Sequence, residues 1–188
     1  LMAPTKPSQE TLKQLVAPTS VFGFVITGLG TWAINGTSPI QFCIMIGAGL
    51  LFWTLVEYFT HRVLFHLNSN VPFVKRLVYN YHGRHHDHPS NTTRMTMSLW
   101  FTVPSGMVFY GAFSILLDPL DAAAVFTGIA FGYLAYETLH IFIHTEHFRQ
   151  SNFMKRLRRH HLSHHHRNEH ADFGVTSPLW DLIFGTRN

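Results

Sequence analysis

The segment AAAVFTGIAFGYLAYETLHIFIH, residues Ala122–His144, is apolar for most of its length and then places Glu137, His140 and His144 in its last turns. A helix rising 1.5 Å per residue needs about 20 apolar residues to cross a bilayer core of about 30 Å. The segment is long enough to cross. Carboxylates and imidazoles at such depth are costly unless they have partners, so the end of this helix is where a functional site is expected. His140 and His144 lie four apart and share one helix face.

Working outward, three more stretches of the same kind precede it: Pro18–Ile34, Ile40–Thr60 and Ser98–Leu117. With Ala122–Ile143 they measure 17, 21, 20 and 22 residues, within the roughly 17–25 that span a membrane. Asn35–Pro39 and Asp118–Asp121 are short and rich in Asn, Asp, Gly, Ser and Pro, as tight links between antiparallel helices are. All 14 Lys and Arg fall in residues 1–19, 61–97 and 145–188, and none falls in the two short links. The positive-inside rule then puts both termini and the central loop on the cytoplasmic side. The prediction is an all-α integral membrane protein with four transmembrane helices in two hairpins. A helical cytoplasmic cap would be built from residues 61–97 and 145–188, and residues 1–188 would form one domain.

Composition agrees. Charged residues make up 13% of the chain against roughly a quarter in soluble domains, while 46% are hydrophobic. The single cysteine, Cys43, lies in an apolar run and excludes both a disulfide framework and a thiolate zinc site. The net charge of +4 and the run Lys155, Arg156, Arg158, Arg159 suit anionic headgroups. Nucleic acid is not expected as a partner, because the aromatic residues sit in the spans and not among the basic ones.

The 15 histidines are clustered. Four patterns follow one another: His61 and His66; His82, His85 and His86; His140 and His144; His161, His164 and His165. All lie in cytoplasmic segments or at the cytoplasmic end of a span, so the topology gathers them. Residues three and four apart share a helix face, so the last three clusters each aim their rings one way. His61 and His66 are five apart and diverge by roughly 140° on a regular helix, which predicts a helix end between them and a different metal for each. Ten imidazoles exceed the ligands of one transition metal and suit two ions at about five each, a dinuclear centre. All-nitrogen donors suit zinc, copper, iron or nickel, and the donors alone do not choose among them. Glu57 and Glu137 precede ligand histidines in apolar surroundings and are expected to accept a ligand's second N–H. His88, His147, His160, His166 and His170 are read as surface or supporting residues.

In this order, EYFTHRVLFH at Glu57–His66, HGRHHDHP at His82–Pro89, ETLHIFIH at Glu137–His144 and HLSHH at His161–His165 resemble the fatty acid hydroxylase and sterol desaturase superfamily. The tail FGVTSPLWDLIFGT at Phe173–Thr186 resembles the end of fatty acid 2-hydroxylases acting on sphingolipid or free acyl chains. The resemblance implies two iron ions on the ten histidines, with zinc able to replace them in isolated protein. It further implies dioxygen, a lipid substrate taken from the bilayer, and two electrons from a separate donor such as cytochrome b5 or a ferredoxin. Only seventeen residues precede the first span, so no carrier domain is expected to be fused ahead of it. The expected site of oxidation is near the polar end of the acyl chain, because the metals would lie at headgroup level. The membrane would be the endoplasmic reticulum in a eukaryote or the inner membrane in a bacterium. Carotenoid or sterol oxidation on the same scaffold stays open as the alternative. A metal transporter is disfavoured, since its ligands would sit midway through the bilayer.

Overall fold

The computed structural model describes residues 7–91, 95–145 and 151–188. Among them the chain is helical and without strands: α1 (Gln9–Lys13), α2 (Val16–Gly36), α3 (Pro39–Phe59), α4 (Pro72–Val78), α5 (Arg84–Asp87), α6 (Leu99–Leu116), α7 (Pro119–His144), α8 (Asn152–His166) and α9 (Leu179–Ile183). Two π-helical turns, Thr60–Phe65 and Tyr79–Gly83, follow α3 and α4.

The four expected spans are α2, α3, α6 and α7, displaced by at most a few residues. Four stretches are long and apolar enough to cross a membrane: Gln9–Gly36, Pro39–Phe65, Leu99–Leu116 and Pro119–His144. Their starts follow ordinary rules. Pro39 and Pro119 open α3 and α7, where a missing N–H costs nothing. Ser98 caps α6 by accepting from the Trp100 amide. The Gln41 side chain donates to Asp121 in the first turn of α7, tying two helix starts together at 2.7 Å.

Lys13–Trp53 and Thr96–Glu137 form one compact unit. Its core is built along α7, where Ala122, Ala123 and Ala124 are fully buried. Ala33 of α2 packs on Ala123 and Ala124, while Val125, Phe126 and Ile129 meet Phe52 of α3 and Phe109 and Phe113 of α6. Gly49 and Gly128 mark where α3 and α7 touch backbone to backbone. A Cβ at Gly49 would stand 2.0 Å from the Val125 carbonyl oxygen, and one at Gly128 would stand 2.3 Å from that of Ile46. Small residues at a crossing are how helices associate where lipid removes the hydrophobic drive. The outer faces stay apolar, with Phe24, Trp100 and Ile115 at least 80% exposed. Such a surface suits hydrocarbon and not water, and the chain is a membrane protein.

Thr54–Met95 and Thr138–Asn188, with the residues up to Leu12, form the other unit. Its main helix, α8, buries Met154, Leu157, His161 and His164 on one stripe and exposes basic residues on the rest. Arg158 of α8 donates to the carbonyls of Ile143 and Thr145, satisfying orphan acceptors at the end of α7. The segment Ala171–Ser177, here called the strap, runs behind the histidines before α9.

The expectation for His61 and His66 is corrected. The α-helix does stop before them, at Phe59, but the chain continues as the π turn Thr60–Phe65. Hydrogen bonding from i to i+5 widens the turn, so residues five apart come back to the same face. His61 and His66 therefore point together.

Candidate metal centre

Ten histidines meet in two groups of five. The first holds His61, His66, His82, His86 and His164; the second holds His85, His140, His144, His161 and His165. Within each group, one nitrogen from every ring lies within 4.8 Å of the others. These are the ten residues singled out by spacing, divided five and five. The groups adjoin, with the His86 and His165 ring centroids 4.4 Å apart.

The clusters do not each serve one group. In the second cluster, His82 and His86 go to group one and His85 to group two; in the last, His161 and His165 go to group two and His164 to group one. Spacing explains this. Residues i and i+4 are nearly eclipsed on the helix face, while the residue next to the pair is rotated by about 100°. Each HX2HH run therefore reaches both groups.

The ring nitrogens fit metal ions. In group one the Nε2 atoms of His61 and His82 are 3.0 Å apart, those of His82 and His86 2.9 Å, and His164 Nε2 lies 3.1 Å from both His66 and His86. In group two the spacings are 3.0 Å for His85 and His140, 2.9 Å for His144 and His161, and 3.1 Å for His161 and His165. Nitrogens bound at about 2.1 Å and at right angles stand about 3 Å apart. Tautomers point the same way. His61 Nδ1–H donates to the Phe173 carbonyl and His164 Nδ1–H donates to that of Ala171 at 2.7 Å, leaving each Nε2 lone pair facing its group. Burial, reinforced by neighbouring imidazoles, pushes His85 down to about 4 and His86 down to about 3. Burial likewise lowers His164 to about 4 and drives His82, His161 and His165 well below the ordinary histidine value. These rings are neutral at physiological pH, the form that binds metal.

Behind group one stands the strap, and two buried carboxylates hold it. Glu57 accepts from the Val175 and Thr176 amides at 2.6 and 2.8 Å and from the Thr176 hydroxyl at 2.6 Å. Asp181 accepts from the Phe173 and Gly174 amides at 2.9 and 2.8 Å and from the Thr186 hydroxyl. Gly174 is needed there, since a Cβ would lie 2.0 Å from the Ser177 carbonyl oxygen. Burial pushes the Asp181 carboxyl up, but His160, the two amides and the Thr186 hydroxyl outweigh it and hold it below the usual carboxylate range. Glu57 was expected beside a histidine N–H. It is bound to the strap, whose Phe173 carbonyl receives the N–H of His61.

Glu137 is fully buried, and its Oε1 accepts from the Met97 amide at 2.8 Å. His160 is not a bystander: its Nδ1 faces Asp172 and its Nε2 faces Asp181, each at 3.1 Å. His88, His166 and His170 are exposed, and His147 lies outside the described residues. Sequence reading missed Asp172, Asp181 and the strap carbonyls. Only the quoted tail FGVTSPLWDLIFGT pointed to that region.

Comparison with known proteins agrees. The fatty acid hydroxylase family model matches residues 46–186. A dihydroceramide fatty acyl 2-hydroxylase of Arabidopsis thaliana is 34% identical over 169 residues, covering 90% of this chain and 71% of that protein. A ceramide very long chain fatty acid hydroxylase of Saccharomyces cerevisiae is 35% identical over 176 residues, 91% of this chain but only 44% of that longer protein. A solved structure of full-length Scs7p, in which only the hydroxylase domain is visible, superposes with a TM-score of 0.83 at 32% identity, covering 98% of this chain and 67% of that one. A match over this much of the chain, centred on the ten histidines, places the protein in the fatty acid hydroxylase family of oxidoreductases.

Proposed function

We propose that the chain hydroxylates a lipid acyl chain at carbon 2, in a free fatty acid or the N-acyl chain of a sphingolipid. The observation that carries this is the pair of five-histidine groups in a chain similar to plant and yeast acyl hydroxylases. The ten histidines would hold two iron ions, which supply dioxygen activation and C–H oxidation when bound. Two electrons come from a separate carrier, cytochrome b5 or a ferredoxin, and the lipid enters from the bilayer. Residues 1–188 act as one membrane domain, with termini and metal site on the cytoplasmic side.

The protein's own contribution is positional. Phe173 and Ala171 fix the tautomers of His61 and His164, and so aim their Nε2 lone pairs. Glu57 and Asp181 hold the strap that carries those carbonyls. Glu137 precedes His140 by three residues in α7 and takes a supporting part at the second group. No nucleophile is required, and positioning of the reacting carbon supplies much of the rate. Carbon 2 follows from the location of the histidines at the polar ends of α3 and α7.

The test is mass spectrometry of lipids from cells expressing the wild-type chain or His164→Ala. The expected result is 2-hydroxylated acyl chains with wild type and a loss of at least a hundredfold with the variant. Oxygen gained by a carotenoid or sterol, with acyl chains unchanged, would replace the substrate and keep the site.

A further inference from the structure

We propose that the arginine-lined cleft beside α8 is the docking site for an acidic, soluble, one-electron carrier protein. The inference rests on the hydroxylase reading. Hydroxylation takes R–H, dioxygen, two electrons and two protons to R–OH and water. The C–H and O–O bonds break, a C–O bond forms, and the second oxygen leaves as water. A one-electron carrier must therefore be oxidised twice per product and must meet the protein close to the histidines.

One cleft meets that demand. A cavity of about 430 Å³ opens between α8 and the C-terminal residues, and Arg156, Arg159, Arg167 and Arg187 line it with His160 and Ser163. Asp172 also lines the cleft, but His160 already pairs with it and with Asp181. Among the described residues no carboxylate pairs with the four guanidiniums. The cleft is thus strongly positive, and its wall is continuous with the metal centre: His160 precedes ligand His161, and Ser163 precedes ligand His164.

Direction selects a soluble protein over lipid headgroups. Arg158 points to the end of α7, where it meets the Ile143 and Thr145 carbonyls. At 100° per residue, Arg156, His160, Ser163 and Arg167 lie about 140–180° around α8 from Arg158. The cleft faces away from the end of the spanning helix. Positive surfaces of this kind raise the encounter rate with acidic partners and make it sensitive to salt.

The experiment uses the full, metal-loaded chain in phosphatidylcholine nanodiscs, with soluble cytochrome b5 and a plant-type ferredoxin as acidic probes. Binding of the oxidised carrier is measured first, independently of turnover, and then the KM for reduced carrier. The double variant Arg156→Glu/Arg167→Glu should weaken carrier binding and raise the carrier KM by about tenfold, and flatten the salt dependence. The lipid KM and single turnover of dithionite-reduced enzyme should not change. Lys75→Glu/Arg76→Glu carries the same charge change on α4 and should stay within about twofold of wild type. Equal effects in the two double variants, no effect in the first, no carrier binding by wild type, or a response to anionic lipid in place of carrier would each overturn the docking site. Failure of dithionite single turnover in wild type would instead bring down the hydroxylase reading, while carrier binding still decides the cleft.

Discussion

The two histidine groups are assembled by one scheme from opposite parts of the chain. Each takes a pair from the end of a long helix, His61 and His66 after α3 or His140 and His144 in α7. Each adds the i, i+4 pair of one HX2HH run and a single histidine of the other run. They differ in what stands behind them. In group one, His61 and His164 donate to strap carbonyls. In group two, the buried Nδ1 atoms of His85, His161 and His165 have no hydrogen-bond partner among the described residues. The first group is oriented by carbonyls of the C-terminal segment, whereas in the second His144 bonds the Pro89 backbone. Equal ligand sets can thus depend on unequal supports.

The sharpest way to break this comparison is to release the strap. Glu57→Gln and Asp181→Asn keep shape and remove charge from the carboxylates that bind the amides of Phe173 to Thr176. Loss of outer support typically costs 10–100-fold in metal affinity, so each variant should bind one metal per chain about 10–100-fold more weakly while the second stays as in wild type. Metal analysis during titration with a chelator measures both. Equal weakening of the two metals would show that the groups share one support.

That contrast also marks where sequence reading stops. The spans and the ten clustered histidines are legible because apolar runs and i, i+3, i+4 spacing are local properties of a helix. The π turn at Thr60–Phe65 is not, since His61 and His66 look divergent on the regular helix that spacing assumes. The division of His85 from His82 and His86 follows from rotation about the helix, but only once two groups are in place to receive them. Glu57 stood out as a buried carboxylate, yet its partners Val175 and Thr176 are 118 and 119 residues away. His160 seemed supernumerary until Asp172 and Asp181 closed around it.

Acid should act on both groups and, unlike strap release, should be read in the stability of the metal-free fold rather than in the affinity for one metal. His85, His86 and His164 titrate at about 4, 3 and 4 in the fold, against 6.5 ordinarily, and burial is the first cause in each. Between pH 6.5 and those values the unfolded chain binds protons that the folded chain refuses. Stability of the metal-free protein therefore falls as pH drops through that window, by at most about 1.4 kcal/mol per pH unit for each ring, and is level above it for these groups. Denaturant midpoints measured from pH 7.5 to 4 check the sign. A midpoint that rises on acidification would show that the rings are not held neutral by burial.

The smallest effect is expected where group two meets its own support. His140 and His144 sit in the last turn and a half of α7, and Arg158 donates to Ile143 and Thr145 at that helix end. Replacing it by Met keeps the stem that packs along α8 and removes the donor, so two carbonyls lose a charged partner. The cost is about 1–3 kcal/mol if neither carbonyl finds water, and less if one does. In a chain of this size, 1 kcal/mol moves a melting midpoint by about 2–4 °C. Arg158→Met should lower the midpoint by a few degrees and weaken the group-two metal slightly, leaving group one unchanged. This is the reverse of the selectivity expected for Glu57→Gln. If the loss falls instead on the metal of group one, α8 transmits the change through His164, and the helix supports both groups alike.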